Sequence, residues 1–358
     1  MHDAPNILLL SAYAAQSHRA WADWLTGFFS AYAWQRLELP GRHFRWRIRG
    51  NPLSWLDSLP AEPPDLLIAT SMVDLATLRG LHPRLASAPT WYYFHENQFA
   101  YPVSSAQVRS IEPQIVQIYS ALCCERLVFN SAFNRDSFLD GLDALLKRMP
   151  DQVPRAVRAR LEPRCEILPV PIDPVPAGSV RDERLILWGH RWEYDKDPDR
   201  FADAILALAA RGQTFRLALL GERPDPAPMA LQRLRSELGD RIVADTYPDK
   251  ATYRAWLARA AIAVSTTRHE FQGLAMLEAA SAGATPLVPD ALCYPEQYPP
   301  ACRYPAGDTS ALTHTLASWL EEGRPPPVDV SAWSERALGP IWLECLQRDT
   351  ADTTTPAD

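Results

Sequence analysis

The chain has 358 residues, 47% of them apolar and 22% charged, which describes a globular protein and excludes a disordered one. Its 36 Lys and Arg against 43 acidic residues leave a net charge of −7, which excludes indiscriminate coating of nucleic acid while leaving room for a local basic patch. There is no run of about 18 apolar residues to span a membrane, and the length suits two domains, each with its own core.

The opening MHDAPNILLLSAY has a short apolar run with no basic segment before it, so it reads as a first core strand at 6–10, not a signal peptide. Residues 16–33 carry Trp21, Trp24, Leu25, Phe28, Phe29 and Tyr32 at helical spacing. Such a stripe suits a core helix or a membrane-surface helix, and the scarcity of basic groups on its polar face favours the core. Further strands are expected at 36–39, 65–69, 91–94 and 126–129, with helices near 112–124 and 131–147. Alternation of apolar strands with helices implies a parallel sheet covered on both faces. Proline thickens through PVPIDPVPAGSV, placing a domain boundary near 170–182. A second series then follows: strands at 184–188, 214–220, Ile242, 261–264 and 285–288, and helices near 198–211, 227–238, 249–259, 308–322 and 330–347. The expected division is 1–175, 176–348 and a disordered tail at 349–358. The six cysteines show no paired metal spacing beyond the adjacent Cys123 and Cys124, so reduced core thiols in a cytoplasmic protein are expected, with no metal.

The second series holds the chemistry. After the apolar run 261–264, Gly273 opens a helix carrying Met276, Leu277 and Ala280, and Gly283 ends it. A helix that starts after a parallel strand points its unbonded N–H groups and its dipole at the site, a place suited to phosphate. Glu270 and Glu278 flank that start, and carboxylates there suit hydroxyls, so the pattern fits a ligand with central phosphates and a sugar at each end. The strand at 184–188 ends in Gly189-His190-Arg191-Trp192-Glu193-Tyr194-Asp195-Lys196-Asp197-Pro198. Gly189 permits a close turn, and Arg191 and Lys196 stand where they could neutralise a diphosphate without a metal, unless the stretch is simply a charged surface loop.

In the first half, Trp91-Tyr92-Tyr93-Phe94 ends in His95-Glu96-Asn97-Gln98, a polar tetrad where a reacting sugar or acceptor would lie. The first strand leads into the turn 11–18, with Ser17 and His18, and another strand ends in Phe129-Asn130-Ser131, where either polar residue caps a helix or meets a ligand. Arg45, Arg47 and Arg49 share one face if their segment is extended, either a solvated face or a docking strip for acceptor phosphates with stacking from Trp46. No Gly-x-Gly-x-x-Gly follows the first strand, and Walker, Gly-x-Ser-x-Gly and His-Glu-x-x-His motifs are absent.

The stretch Glu270-Phe271-Gln272-Gly273-Leu274-Ala275-Met276-Leu277-Glu278 resembles the E-x7-E motif of retaining family 4 glycosyltransferases of GT-B architecture, and the Gly189 loop resembles their diphosphate loop. The set His190-Arg191-Trp192-Glu193, Asp195-Lys196-Asp197-Pro198, His95-Glu96-Asn97-Gln98 with Tyr101-Pro102, Phe129-Asn130-Ser131 and Tyr294-Pro295-Glu296 resembles the tRNA-queuosine mannosyltransferase family from about residue 7 to 299. That resemblance implies two doubly wound Rossmann-like domains facing a central cleft. It implies transfer of mannose from GDP-mannose to the queuosine cyclopentenediol of tRNA-Asp, in the cytoplasm, with neither metal nor obligate protein partner. By the same resemblance, Arg191 and Lys196 hold the donor diphosphate, Gly189 and His190 also bind the donor, and Glu278 binds the ribose. Glu270 and the backbone N–H groups of Phe271, Gly273 and Leu274 hold the transferred sugar, Gln272 and Ala275 also bind the donor, and His95 meets that sugar from the opposite domain. Ser17, His18, Arg45, Arg47, Asn97, Gln98 and Asn130 fall to the acceptor. Related enzymes generally carry two glycines where this chain has Ala14-Ala15-Gln16-Ser17-His18. Two other functions fit the residues less fully: a family 4 enzyme using another nucleotide sugar and a glycan or lipid-linked acceptor, and a silent tRNA- or sugar-nucleotide-binding protein.

Overall fold

The computed structural model describes residues 4–101, 110–178 and 180–351. They fall into two compact units, the chain up to Pro171 together with the chain from Leu338 onward, and Ile172–Ala337. In the first unit, β1 (Asn6–Ala14), β2 (Ala33–Pro40), β3 (Leu66–Thr70), β4 (Thr90–Phe94), β5 (Arg126–Phe129) and β6 (Cys165–Ile167) form one sheet in the order β2-β1-β3-β4-β5-β6. In the second, β7 (Asp182–Trp188), β8 (Arg216–Leu220), β9 (Ile242–Thr246), β10 (Ala260–Val264), β11 (Thr285–Pro289) and β12 (Arg303–Tyr304) run β12-β11-β10-β7-β8-β9. Neighbouring strands pair in parallel in both sheets.

The unbroken apolar runs explain this. LLIAT in β3, TWYYF in β4 and AAIAV in β10 are buried at every position, as strands covered on both faces must be. The strand order reverses at β1 in the first unit and at β7 in the second. Ligands of doubly wound sheets bind at such switch points, beyond the carboxyl ends of the strands.

The aromatic stripe belongs to the core. Helix Gln16–Phe28 buries Trp21, Ala22 and Leu25, and Trp21 stacks on Tyr93 with centroids 4.6 Å apart. Trp342, from helix Glu335–Ala351, completes this cluster, 5.5 Å from Tyr93 and 5.6 Å from Trp24.

Three expectations differ from what is observed. The boundary expected at 175/176 falls at 171/172, and the chain from Leu338 packs with the first unit, not the second. The tail expected from Asp349 is helical through Ala351, because Asp349 is 9% exposed and accepts from Trp91 Nε1 at 2.5 Å and Arg126 Nη2 at 2.9 Å; residues 352–358, like Pro102, lie outside the described residues. Asp349→Ala strands the indole N–H and one side of the guanidinium, which should cost about 2 kcal/mol and lower the melting temperature; an unchanged melt would show that the contact contributes nothing.

The third difference is the arginine segment. It is a helix, Phe44–Ser54, entered through His43 at φ 56°. Arginines alternating with apolar residues imitate a strand, but buried Asn51 decides the outcome: its Nδ2 donates to Arg47 O at 2.7 Å and Met72 O at 3.2 Å, and its Oδ1 accepts from Asp74 N at 3.1 Å. Arg45 and Arg47 are therefore roughly 200° apart around the helix and do not share a face. Among the described residues no helix is long and apolar enough to cross a membrane.

Candidate active site

Because β7 and β10 are neighbours at the second unit's switch point, their exit loops lie side by side. Thr266 Oγ1 donates to Lys196 O at 2.8 Å, Thr267 Oγ1 to Asp195 O at 3.1 Å, and Arg268 N to Asp195 O at 2.8 Å. The Asp197 carboxylate joins them again, taking Arg268 Nε at 2.7 Å and Arg200 Nε at 2.8 Å. The result is one rigid block of two loops, with Lys196 only 8% exposed.

Lys196 Nζ donates to His269 O at 3.0 Å and to Glu270 Oε2 at 3.2 Å, and stands 3.2 Å from Asp195 Oδ2. Burial alone would lower its pKa, but Glu270 and Asp195 more than offset that and raise it. Burial likewise works to raise the Glu270 pKa, yet Lys196 and then His190 bring it down to about 2. The ion pair is firm. Lys196, expected to face a diphosphate, is held between the Glu270 and Asp195 carboxylates. His190 is buried, with Nε2 unbonded, and burial beside Lys196 pushes its pKa down to about 4, so it is neutral at physiological pH. Arg191 lies toward the surface, 3.3 Å from Glu193.

Gly273 sits at φ 67°, and a Cβ there would stand 2.9 Å from the Tyr294 ring, so both backbone and space demand glycine. Helix Leu274–Ser281 follows. Phe271 N donates to Glu270 Oε1 at 3.2 Å, and Gly273 N also bonds that carboxylate, so two of the N–H groups expected to hold sugar turn to Glu270 here. Gln272 is buried and its carbonyl accepts from Gln297 Nε2 at 2.5 Å, while Leu274 and Ala275 are half-buried at the helix start. Glu278, in the same helix, is half-buried beside Tyr253, Lys250 and Arg254, and burial raises its pKa to about 7.

Gly189 is not the demanding glycine of its loop: a Cβ would meet nothing nearer than Leu187 at 3.4 Å. Gly221, at the end of β8, is. It has φ 119°, and a Cβ would collide with the His190 carbonyl, while Trp192 N donates to Glu222 O at 2.9 Å. Gly221 carries no motif, and its only sequence signal is a glycine directly after an apolar strand. Asp195, Asp197 and Thr266 likewise matter through the meeting of two distant loops.

The first unit gathers a second set at the carboxyl ends of β1, β4 and β5. His18 and His95 stack with centroids 4.3 Å apart and planes 18° apart, while Trp21 and Tyr93 meet His95 edge-on at 4.6 and 4.7 Å. Burial, then the neighbouring His18, holds the His95 pKa well below its ordinary value, and His95 Nε2 is buried without a hydrogen bond. His18 Nδ1 lies 2.8 Å from Tyr13 O, and Ser17 is exposed. Asn130 Nδ2 donates to His95 O at 2.9 Å, while Ser131 is the residue that caps helix Ala132–Leu146. Asn97 is committed to its own loop: Nδ2 reaches Asn134 and Ser137, and Oδ1 accepts from Phe99 N and Ala100 N, both at 3.0 Å. Gln98 is half-buried, its N–H held by Gln117 Oε1 at 2.8 Å. Arg45 is exposed and Arg47 half-buried on another side of their helix.

Residues 6–172 match the family profile described as tRNA-queuosine alpha-mannosyltransferase N-terminal, and residues 182–322 match glycosyl transferases group 1. The tRNA-queuosine alpha-mannosyltransferase of Drosophila melanogaster is 32% identical over 97% of this chain and 98% of its own length. The chain belongs to the tRNA-queuosine alpha-mannosyltransferase family. As a family member it is a glycosyltransferase, and more specifically a hexosyltransferase. A shorter match, 29% identical over 32% of this chain and 30% of the other, is to the GDP-mannose:cellobiosyl-diphosphopolyprenol alpha-mannosyltransferase of Xanthomonas oryzae pv. oryzae. Among solved structures, sucrose-phosphate synthase from Thermosynechococcus elongatus superposes with a TM-score of 0.71, covering 98% of this chain and all of that one at 14% identity. Anabaena HepE gives 0.67 at 11% identity, over 96% and 100% of the two chains. These likenesses establish the GT-B fold.

Proposed function

We propose that this family member transfers mannose from GDP-mannose to the queuosine cyclopentenediol in the anticodon of tRNA-Asp, with retention at the anomeric carbon. Full-length similarity to the Drosophila mannosyltransferase is the observation that carries the proposal. The shorter relative, whose name includes GDP-mannose, supports the donor. Arg191 and Lys196 serve the diphosphate, Glu278 the ribose diol, and Glu270 with the backbone at Phe271, Gly273 and Leu274 the mannose; His95 is assigned to the sugar and Asn130 to holding His95.

The acceptor hydroxyl attacks the anomeric carbon on the face the diphosphate leaves. A new C–O bond forms, the bond to the phosphate oxygen breaks, and the hydroxyl proton passes to that leaving oxygen. Catalysis then consists mainly in stabilising the charge gathering on the diphosphate, for which Lys196, once shared with the donor, is placed. The proposal requires no metal, so EDTA should leave the rate unchanged; loss of activity restored by Mg²⁺ would overturn that point. It places the enzyme with its tRNA in the cytoplasm.

The test is incubation with radiolabelled GDP-mannose and tRNA from queuosine-containing or queuosine-lacking cells. Label is expected in the first tRNA only. Label in neither would overturn the acceptor, and label in a lipid extract would assign the enzyme to lipid-linked acceptors. A thermal-shift panel of GDP, UDP and ADP sugars tests the donor separately, since a bound nucleotide sugar stabilises the native state.

A further inference from the structure

Helix Phe44–Ser54 starts where β2 ends, at the same end of the first unit's sheet as His18 and His95. A Cβ on Gly41 would stand 3.1 Å from Ala15 N, and Phe44 meets Tyr13 edge-on at 6.3 Å, so its approach leans on the turn leaving β1. Ile48 and Asn51 face inward, while Arg45, Trp46, Arg49 and Leu53 are exposed.

Trp46 is the unusual member. It is 52% exposed, yet a Cβ at Gly50 would lie 2.5, 2.6 and 2.7 Å from three atoms of its indole. Near-equal distances to ring atoms mean that one face of the indole lies flat on the glycine, one helical turn along, and the other face is open. Arg42 and Arg45 flank the helix start, and Arg49 is held alongside by Asp74 and by Glu112 at 3.3 Å. A fixed, flat, open aromatic face beside arginines suits an unpaired base with its phosphates. An interfacial membrane helix would need a continuous apolar face, whereas the exposed side here intersperses Trp46 and Leu53 with Arg45 and Arg49.

We propose that the outer face of helix Phe44–Ser54 is a stacking platform for the acceptor RNA, an unpaired base lying on Trp46 and neighbouring phosphates meeting Arg42 and Arg45. It rests on the reading of the acceptor as tRNA and adds where that RNA is gripped away from the reacting nucleoside. Because every base has a flat face, the platform ignores the modification.

The experiment measures binding of a labelled anticodon stem-loop, carrying queuosine or guanosine, to the full-length protein. Trp46→Ala should weaken both RNAs by roughly tenfold, and Trp46→Phe by less. Gly50→Ala, which keeps the indole but lifts it, should also weaken binding. The thermal shift produced by GDP-mannose should match the wild type in all three, showing that folding and the donor site are intact. RNA affinity unchanged in Trp46→Ala and Gly50→Ala would overturn the platform, as would loss of binding to phosphatidylserine vesicles with RNA affinity intact. If the wild type binds RNA through Trp46 but transfers no mannose, the acceptor reading fails and the platform stands. If mannose is transferred with the same KM for tRNA in Trp46→Ala, the acceptor reading stands and the platform fails.

Discussion

Lys196→Ala should lower kcat/KM for mannosyl transfer by roughly 30- to 1000-fold, about 2–4 kcal/mol of transition-state stabilisation. Two effects act together. The leaving diphosphate loses a buried ammonium, and Glu270 and Asp195, each 3.2 Å from that ammonium in the wild type, are left facing the incoming anion with two charges and no counterion. The depressed Glu270 pKa, about 2, marks stability that is present above its ordinary value of 4.5 and lost as pH falls toward 2. Without Lys196 that contribution disappears, so the variant should also melt lower at neutral pH, since removing one partner of a buried pair is costly. Asp195→Asn added to Lys196→Ala should recover donor affinity, by removing a repelling charge, without recovering kcat. Steady-state kinetics with donor titrated from below to above KM would separate the two effects. Near-normal turnover in Lys196→Ala would remove this residue from the reaction.

The donor KM should rise roughly tenfold between pH 8 and pH 6, because Glu278 titrates near 7 and only its carboxylate can accept from both hydroxyls of a ribose diol. Burial is the main cause of the raised value, with Lys250 and Arg254 working against it. Glu278→Gln should weaken donor binding at pH 8 and flatten the profile; a slope that persists would place the titrating group elsewhere. Stability runs the other way. A carboxyl whose folded pKa lies above the unfolded 4.5 holds its proton longer when folded, so its contribution to stability falls as pH rises from 4.5 to 7. Glu278→Gln should therefore gain on the wild type in thermal melts at pH 8.

Much of this was legible in the chain, for a physical reason. Strands buried on both faces must be apolar throughout, so the runs at β3, β4 and β10 announce themselves, and a parallel sheet puts its loops at one end. The short strands CEI of β6 and RY of β12 contain too few apolar residues to show any period. The arginine segment misled because it alternates like a strand, whereas the hydrogen bonds of Asn51 to a loop more than twenty residues away made it a helix. Within the site, Lys196 and Glu270 could be picked out as types but not as partners, because their salt bridge joins loops 74 residues apart. Gly221 is required by its own φ of 119° and by the His190 backbone passing over it, neither of which a motif announces.

The return of the chain to the first unit at Leu338 bears on how the protein is made. A ribosome delivers the strands β1–β6 first, then all of Ile172–Ala337, and only afterwards the segment bearing Trp342 and Asp349. Until then Tyr93, Trp24 and the Trp91 indole lack their last neighbour. The second unit, contiguous in sequence, can complete its own core while the first is still waiting. A chain truncated after residue 337 should therefore hold a protease-resistant second unit and a first unit that is still readily cut.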